Sequence, residues 1–204
     1  MSTRARRERE KQGMRIAILE AATKIIIQEG YEKLSMRKIA DAIQYTPTTL
    51  YNYYKDKAQI LDGISQEVYT KIISIIKRVL QENKTQPITV RLQLSFKAFV
   101  NTMTDNAEIG RAVMISGAKA IFETSEGPES DSDNGILMLE RLLQDGQQQS
   151  ELRKLDKNVS WMLITALLGF SMNAIENQLY LSADWDSLVD TYVEILLNGI
   201  TPIK

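Results

Sequence analysis

Between Arg37 and Lys57 the chain collects the side chains best suited to chemistry. There is a guanidinium at Arg37, hydroxyls at Thr46, Thr48, Thr49, Tyr51 and Tyr53, ammonium groups at Lys55 and Lys57, and Pro47 among them. What such groups do is bind. A guanidinium pairs bidentately with planar acceptors, hydroxyls donate or accept, and ammonium groups hold phosphates as point charges. Acid–base work at neutral pH is poorly supplied, because the 204 residues contain no histidine and no cysteine. That removes the commonest proton shuttle, the thiolate nucleophile, the usual transition-metal ligands and all disulfides. No phosphate loop, cofactor fingerprint or tight carboxylate cluster is present, and nothing marks Glu140, a carboxylate of the C-terminal part, as a base. The expectation is a binding protein rather than an enzyme, with no cofactor and no metal.

The elements that must position these residues are helical throughout, and an all-α chain of about nine helices is expected. A first helix ends at Glu29, with Ile18, Ala21, Ala22, Ile25 and Ile26 on one stripe and Gly30 as its stop. Ser35 caps a short second helix whose apolar stripe is Met36, Ile39, Ala40 and Ile43. Gln44, Tyr45 and Thr46 form a turn. Thr46 caps a third helix with Pro47 at its first position, where a missing N–H costs nothing. Asp56 caps a long fourth helix to about Glu82. Two short helices joined by a three-residue turn after a longer one is the helix-turn-helix arrangement. Further helices are expected at about 87–104, 106–122, 136–149, 156–178 and 184–198, the last capped by Asp184. The segment TSEGPESDSDNG, from Thr124 to Gly135, reads as a mobile acidic loop.

Charge is divided along the chain. Residues 1–57 carry 12 Lys/Arg and 7 Asp/Glu, whereas residues 58–204 carry 13 and 19. A basic head on an acidic body implies a polyanionic partner at the N-terminal end. Arg4, Arg6, Arg7 and Arg9 are read as a flexible basic arm over residues 1–10, either touching DNA or solubilising the end. Glu8 and Glu10 interrupt it, and no apolar run follows as a secretory signal requires. The most apolar stretch, Trp161 to Phe170, is short for a bilayer and contains Thr165. It is expected as a buried helix, with no membrane partner and a cytoplasmic location.

The residues GYEKLSMRKIADAIQYTPTTLYNYYKDK, Gly30 to Lys57, resemble the signature of the tetracycline-repressor (TetR) family. The matching positions are Gly30-Tyr31, Ser35, Ile39-Ala40, Thr49-Leu50-Tyr51, Tyr53-Tyr54 and Lys57, and Ile18 to Ala22 resembles the family's first helix. The match covers roughly the first 60 residues. Where the family often has a turn glycine this chain has Gln44, so a slightly different turn shape is expected. The resemblance implies a three-helix DNA-binding domain, residues 1–57, followed by a helical ligand-binding and dimerisation domain, residues 58–204. It implies a homodimeric transcription regulator, most often a repressor, released from palindromic operator DNA by a small-molecule effector. Arg37, Thr46, Pro47, Thr48, Thr49, Tyr51, Tyr53, Lys55 and Lys57 are then the expected DNA contacts, with Leu50 and Tyr54 packing behind them.

In the body, Phe96, Phe99 and Met103 share a helix face at i, i+3 and i+7. With Met114, Trp161, Tyr69 and Thr165 they form the expected effector pocket, suited to an apolar or aromatic ligand. Ordinary core packing explains any one of them equally well. Ala166, Gly169, Phe170, Asn173, Tyr192 and Leu196 are expected at a dimer interface, where small residues let helices approach closely. An intrachain core is the competing account. A helical interaction module without operator reading is the alternative function.

Overall fold

A computed structural model of the protein describes residues 3–115 and 134–202. Among the described residues there are nine α-helices and no strand, as the sequence predicts. They are α1 (Thr3–Glu29), α2 (Met36–Ala42), α3 (Pro47–Tyr51), α4 (Lys57–Glu82), α5 (Ile88–Thr104), α6 (Ala107–Ile115), α7 (Gly135–Gln148), α8 (Val159–Glu176) and α9 (Trp185–Asn198). Single 3-10 turns stand at Tyr31–Lys33 and Leu179–Leu181.

Local chemistry sets most of the ends. Ser35 accepts from the Lys38 N–H at 3.2 Å, and Thr46 accepts from the Thr49 N–H at 3.3 Å. Asp56 accepts from the Gln59 N–H while the Gln59 side chain accepts from the Lys55 N–H, a reciprocal cap on α4. Gly30 takes φ +82°, a left-handed conformation that closes α1 and that a side chain resists. One expected cap and one expected helix start differ. Asp184 occupies the N-cap position of α9 without a side-chain bond, and its own N–H goes to Ser182 Oγ instead. Asp156 bonds the Asn158 N–H at 2.9 Å, a turn that delays α8 until Val159.

Residues 3–10, expected as a flexible arm, are the opening turns of α1. The physical reason lies in the acidic residues that interrupt the basic run. Arg6 pairs with Glu10 one turn on at 2.8 Å, so opposite charges stack along the helix. Of the expected acidic loop, residues 124–133 lie outside the described residues, as does the expected extension of α6 beyond Ile115. Asn134 caps α7, accepting from the Leu137 N–H at 3.1 Å.

The chain divides into two compact units. The first comprises residues 3–68 with 108–115. Its core is Ile18, Ala22 and Ile26 of α1, Ile39 and Ala40 of α2, Leu50 of α3, Ile60, Leu61 and Ile64 of α4, and Ala112 and Val113 of α6, all essentially inaccessible. This unit runs past the boundary at residues 57/58 expected from the sequence, because α2 and α3 are too short to close a core without the first turns of α4.

The second unit comprises residues 69–107 with 134–202. Here α5 is central and packs against α7, α8 and α9. Leu92, Val100 and Met103 of α5, Leu139 and Leu143 of α7, Leu167 and Ile175 of α8, and Val193 of α9 are buried in its interior. The apolar stretch expected to be short belongs to an 18-residue helix, α8, which by length and composition is long enough to cross a membrane. Leu163, Leu167, Ser171, Ala174 and Ile175 of that helix are nevertheless buried inside the second unit, the pattern of a core helix.

Candidate nucleic-acid interface and ligand cavity

In the first unit, α2 packs on both α1 and α3. Leu50 is fully buried and Tyr54 nearly so, which fixes the roll of α3 and turns its other face outward. Arg37, Thr46, Thr48, Tyr51 and Lys55 are exposed. Thr48 and Tyr51, three residues apart, share one face. Tyr51 retains 56% of its surface, a large exposure for an aromatic ring on so short a helix. Pro47 is half-buried. Thr49 is also half-buried and its hydroxyl lies 3.0 Å from that of Thr46, so this pair braces the helix start. Tyr53 packs partly against the core. Lys57 sets its ammonium over the Tyr31 ring, 4.6 Å from the centroid. This cation–π contact positions the side chain that the signature makes a phosphate ligand.

Two exposed neighbours escaped the sequence reading. Tyr45, 49% exposed, lies in the turn directly before α3, and Asn52 directly after it. Tyr45 was read as a turn residue and Asn52 as part of the third helix; an aromatic ring in a turn was the available signal. Gln44 adopts φ +58°. Glutamine thus takes the left-handed backbone that glycine adopts more easily. Burial pushes the Tyr31 hydroxyl above its ordinary range, with Glu32, Asp56 and Asp62 adding to the effect. Burial likewise raises Tyr54, partly offset by Arg15, whose guanidinium lies 5.6 Å from its ring centroid. Both tyrosines thus stay neutral around Lys57 and Arg15.

The second unit encloses a cavity of about 70 Å³ among α4, α5, α7 and α8. Tyr69, Phe96 and Phe99 line it, as expected. The other four expected pocket residues do not. Met103 is buried one turn beyond the cavity, and Met114 belongs to the first unit. Trp161 and Thr165 face a shallow surface depression with Asn158, Met162 and Ala166. Both are on α8, but Ile164 and Leu167 are the residues that this helix turns inward. Sequence reasoning missed the aliphatic majority of the wall, including Ile72, Ile76, Leu92, Leu139 and Leu142. Tyr69 accepts the Gly135 N–H at 2.9 Å, tying the start of α7 to α4.

The family model for bacterial regulatory proteins of the tetR family matches residues 18–64, from the first buried residue of α1 to the last residue that α4 lends to the same core. Residues 18–64 are thus a TetR-type DNA-binding domain. The fatty acid metabolism regulator protein of Bacillus subtilis is 22% identical over 195 residues, spanning 94% of this chain and 98% of that protein. Among solved structures, RolR in complex with resorcinol superposes with a TM-score of 0.69 at 14% identity, covering 95% of this chain and 90% of that one. FadR from Bacillus subtilis in complex with stearoyl-CoA gives 0.63 at 21% identity, covering 91% and 98%. At these identities the structures establish the shared fold. With that domain, this chain is a DNA-binding transcriptional regulator with the helix-turn-helix described above.

On the second unit of this regulator, the six residues expected at a dimer interface all retain exposure on α8 and α9. Gly169 and Asn173 are exposed, and Ala166, Phe170, Tyr192 and Leu196 are half-buried. The Phe170 ring stacks on Tyr192 at 4.0 Å and on Trp185 at 5.9 Å, locking the two helices together. A methyl group built on Gly169 meets nothing within 4 Å, so nothing in its own unit demands glycine there. Exposed Met162, Met172, Leu188 and Ile195 extend the apolar surface of the two helices, and the small-residue pattern had not singled them out.

Proposed function

We propose that the protein is a cytoplasmic homodimeric repressor that holds a palindromic operator and releases it when a small-molecule effector enters the cavity of the second unit. The observation that carries the DNA-binding part is the outward set Arg37, Thr48, Tyr51 and Lys55 on a helix-turn-helix whose opposite face is fully buried. Arg37 reads a base edge or a phosphate, and Thr46, Thr48 and Tyr51 supply hydroxyls. Lys55 and Lys57 neutralise phosphates. Thr49 and Tyr53 contribute through the placement of their neighbours, and Pro47 by apolar contact with a thymine methyl.

A homodimer is supported by the exposed apolar surface of α8 and α9 around Gly169. Burying it against a second copy makes a four-helix arrangement. Two copies then reach successive major grooves about 34–36 Å apart. An effector is supported by the cavity and by the relatives, one solved with resorcinol and one with stearoyl-CoA. The effector acts through its difference in affinity between the operator-fitting dimer and one that does not fit.

Selection of bound duplexes from random DNA with the purified protein, at near-physiological salt, tests the reading. A palindromic consensus is the expected outcome and supplies the probe for effector screening. Failure of any motif to emerge, with the protein shown to be folded and ligand-free, replaces the reading with that of a helical interaction module.

A further inference from the structure

Ser95 sits midway along α5, 5% exposed, on the wall of the cavity. Its hydroxyl has no hydrogen-bond partner among the described residues. Further along the same helix, Thr102 and Thr104 donate to the carbonyls of Ala98 and Val100 at 2.7 and 3.0 Å. That is the ordinary resort of a hydroxyl inside a helix, and Ser95 does not take it. An unpartnered buried hydroxyl thus stands in the wall of a mostly aliphatic chamber, a costly state that a polar atom of an occupant relieves.

The rest of the wall limits what the occupant is. Aliphatic side chains dominate it, Ile72, Ile76, Leu92, Leu139 and Ile164 among them, and no charged side chain is found among the described lining residues. Against these described residues a carboxylate, phosphate or ammonium would be desolvated and unpaired. Size excludes a ring without movement of the walls. Benzene occupies an engineered cavity of roughly 150 Å³, about twice the 70 Å³ here. A linear alkyl chain is narrower and can thread the space.

We propose that the cavity takes the hydrocarbon part of a linear aliphatic ligand, and that Ser95 hydrogen-bonds to a neutral carbonyl or hydroxyl oxygen on that chain. Any charged end of the ligand stays outside. Ser95 is thus the residue that separates a functionalised chain from a plain one. This inference rests on the cavity being the effector site.

The test uses the full-length protein with four probes, octan-2-one, octane, octanoate and resorcinol, titrated by ligand-observed NMR. The expected order places octan-2-one tightest. Ser95→Ala then weakens the ketone about threefold to tenfold, the worth of one neutral hydrogen bond, and leaves octane unchanged. The same variant raises the Tm of the unliganded protein, because it removes an unsatisfied hydroxyl. Ile76→Phe, which narrows the cavity from a half-buried position, weakens both ligands. Equal ketone binding by Ser95→Ala, with Ile76→Phe still effective, overturns the role of Ser95 and leaves the cavity as the site. Resorcinol or octanoate as the tightest probe overturns the ligand class. Binding that ignores Ile76→Phe overturns the cavity reading itself, and no binding by any probe overturns the proposal.

Discussion

Gln44 shows how a single residue is held in a conformation it does not favour. Its φ of +58° brings Cβ close to the neighbouring carbonyl, an interaction glycine lacks. The turn keeps this shape because Tyr45 N–H bonds the Ala40 carbonyl at 2.9 Å and Thr46 caps α3 immediately afterwards. Gln44→Gly should therefore raise stability by about 1 kcal/mol, read as a higher denaturant midpoint at constant m-value. The outward residues separate by the kind of contact they make. Arg37→Ala should cost about 1–3 kcal/mol on the selected operator and relax preference at one base position. Lys55→Gln should weaken all duplexes alike and shallow the salt dependence by about one unit of slope. Anisotropy titrations at several salt concentrations distinguish the two. A uniform loss from Arg37→Ala would reassign that guanidinium to phosphate.

Between elements, α1 and α4 meet at a charged margin as well as in a core. Glu67 of α4 is pushed above the ordinary carboxylate range, first by burial and then by Glu20 of α1. A raised carboxylate favours its neutral form in the folded state, so its ionisation opposes folding. That penalty is absent at acid pH, where the group is protonated folded or unfolded, and it develops as pH rises through the carboxylate range. Glu67→Gln should accordingly stabilise the protein at pH 7, by on the order of a few tenths of a kcal/mol for so exposed a group. The gain should vanish below the carboxylate range. Thermal melts of both proteins across pH 3–7, about the span over which carboxylates titrate, measure it; a gain independent of pH would point to packing instead. The Glu29–Lys38 pair linking α1 to α2 is exposed on both partners and contributes little.

At the scale of the whole molecule, the division of charge between basic residues 1–57 and acidic residues 58–204 favours DNA at the first segment and disfavours it at the second. Two heads are needed to read a palindrome, which makes the surface of α8 and α9 part of the DNA-binding mechanism in the proposed dimer. Gly169→Leu should leave the monomer folded, since nothing in its own unit lies within 4 Å of an added Cβ. It should abolish the dimer by overfilling a close helix approach. Sedimentation velocity should show the halved mass with unchanged helical circular dichroism, and operator affinity should fall at least tenfold, more than 1.4 kcal/mol. A Gly169→Leu protein that remains dimeric would move the interface to another surface.

The amino-acid sequence by itself determined the helices and the DNA-binding head. Ser35, Thr46, Pro47 and Asp56 act on backbone groups within a turn of themselves, and the apolar stripes at i, i+3 and i+4 declare which face of each helix is buried. Such local and periodic signals survive without knowledge of neighbours. The proposed effector cavity was legible only in part, because a pocket depends on where several helices lie against one another. Phe96 and Phe99 were visible as one face of α5. That α8 turns Ile164 and Leu167 inward and Trp161 and Thr165 outward was decided by its packing on α5 and α7. Only the tertiary structure could leave the Ser95 hydroxyl without a partner among the described residues, since whether a buried group is satisfied is a property of everything packed around it.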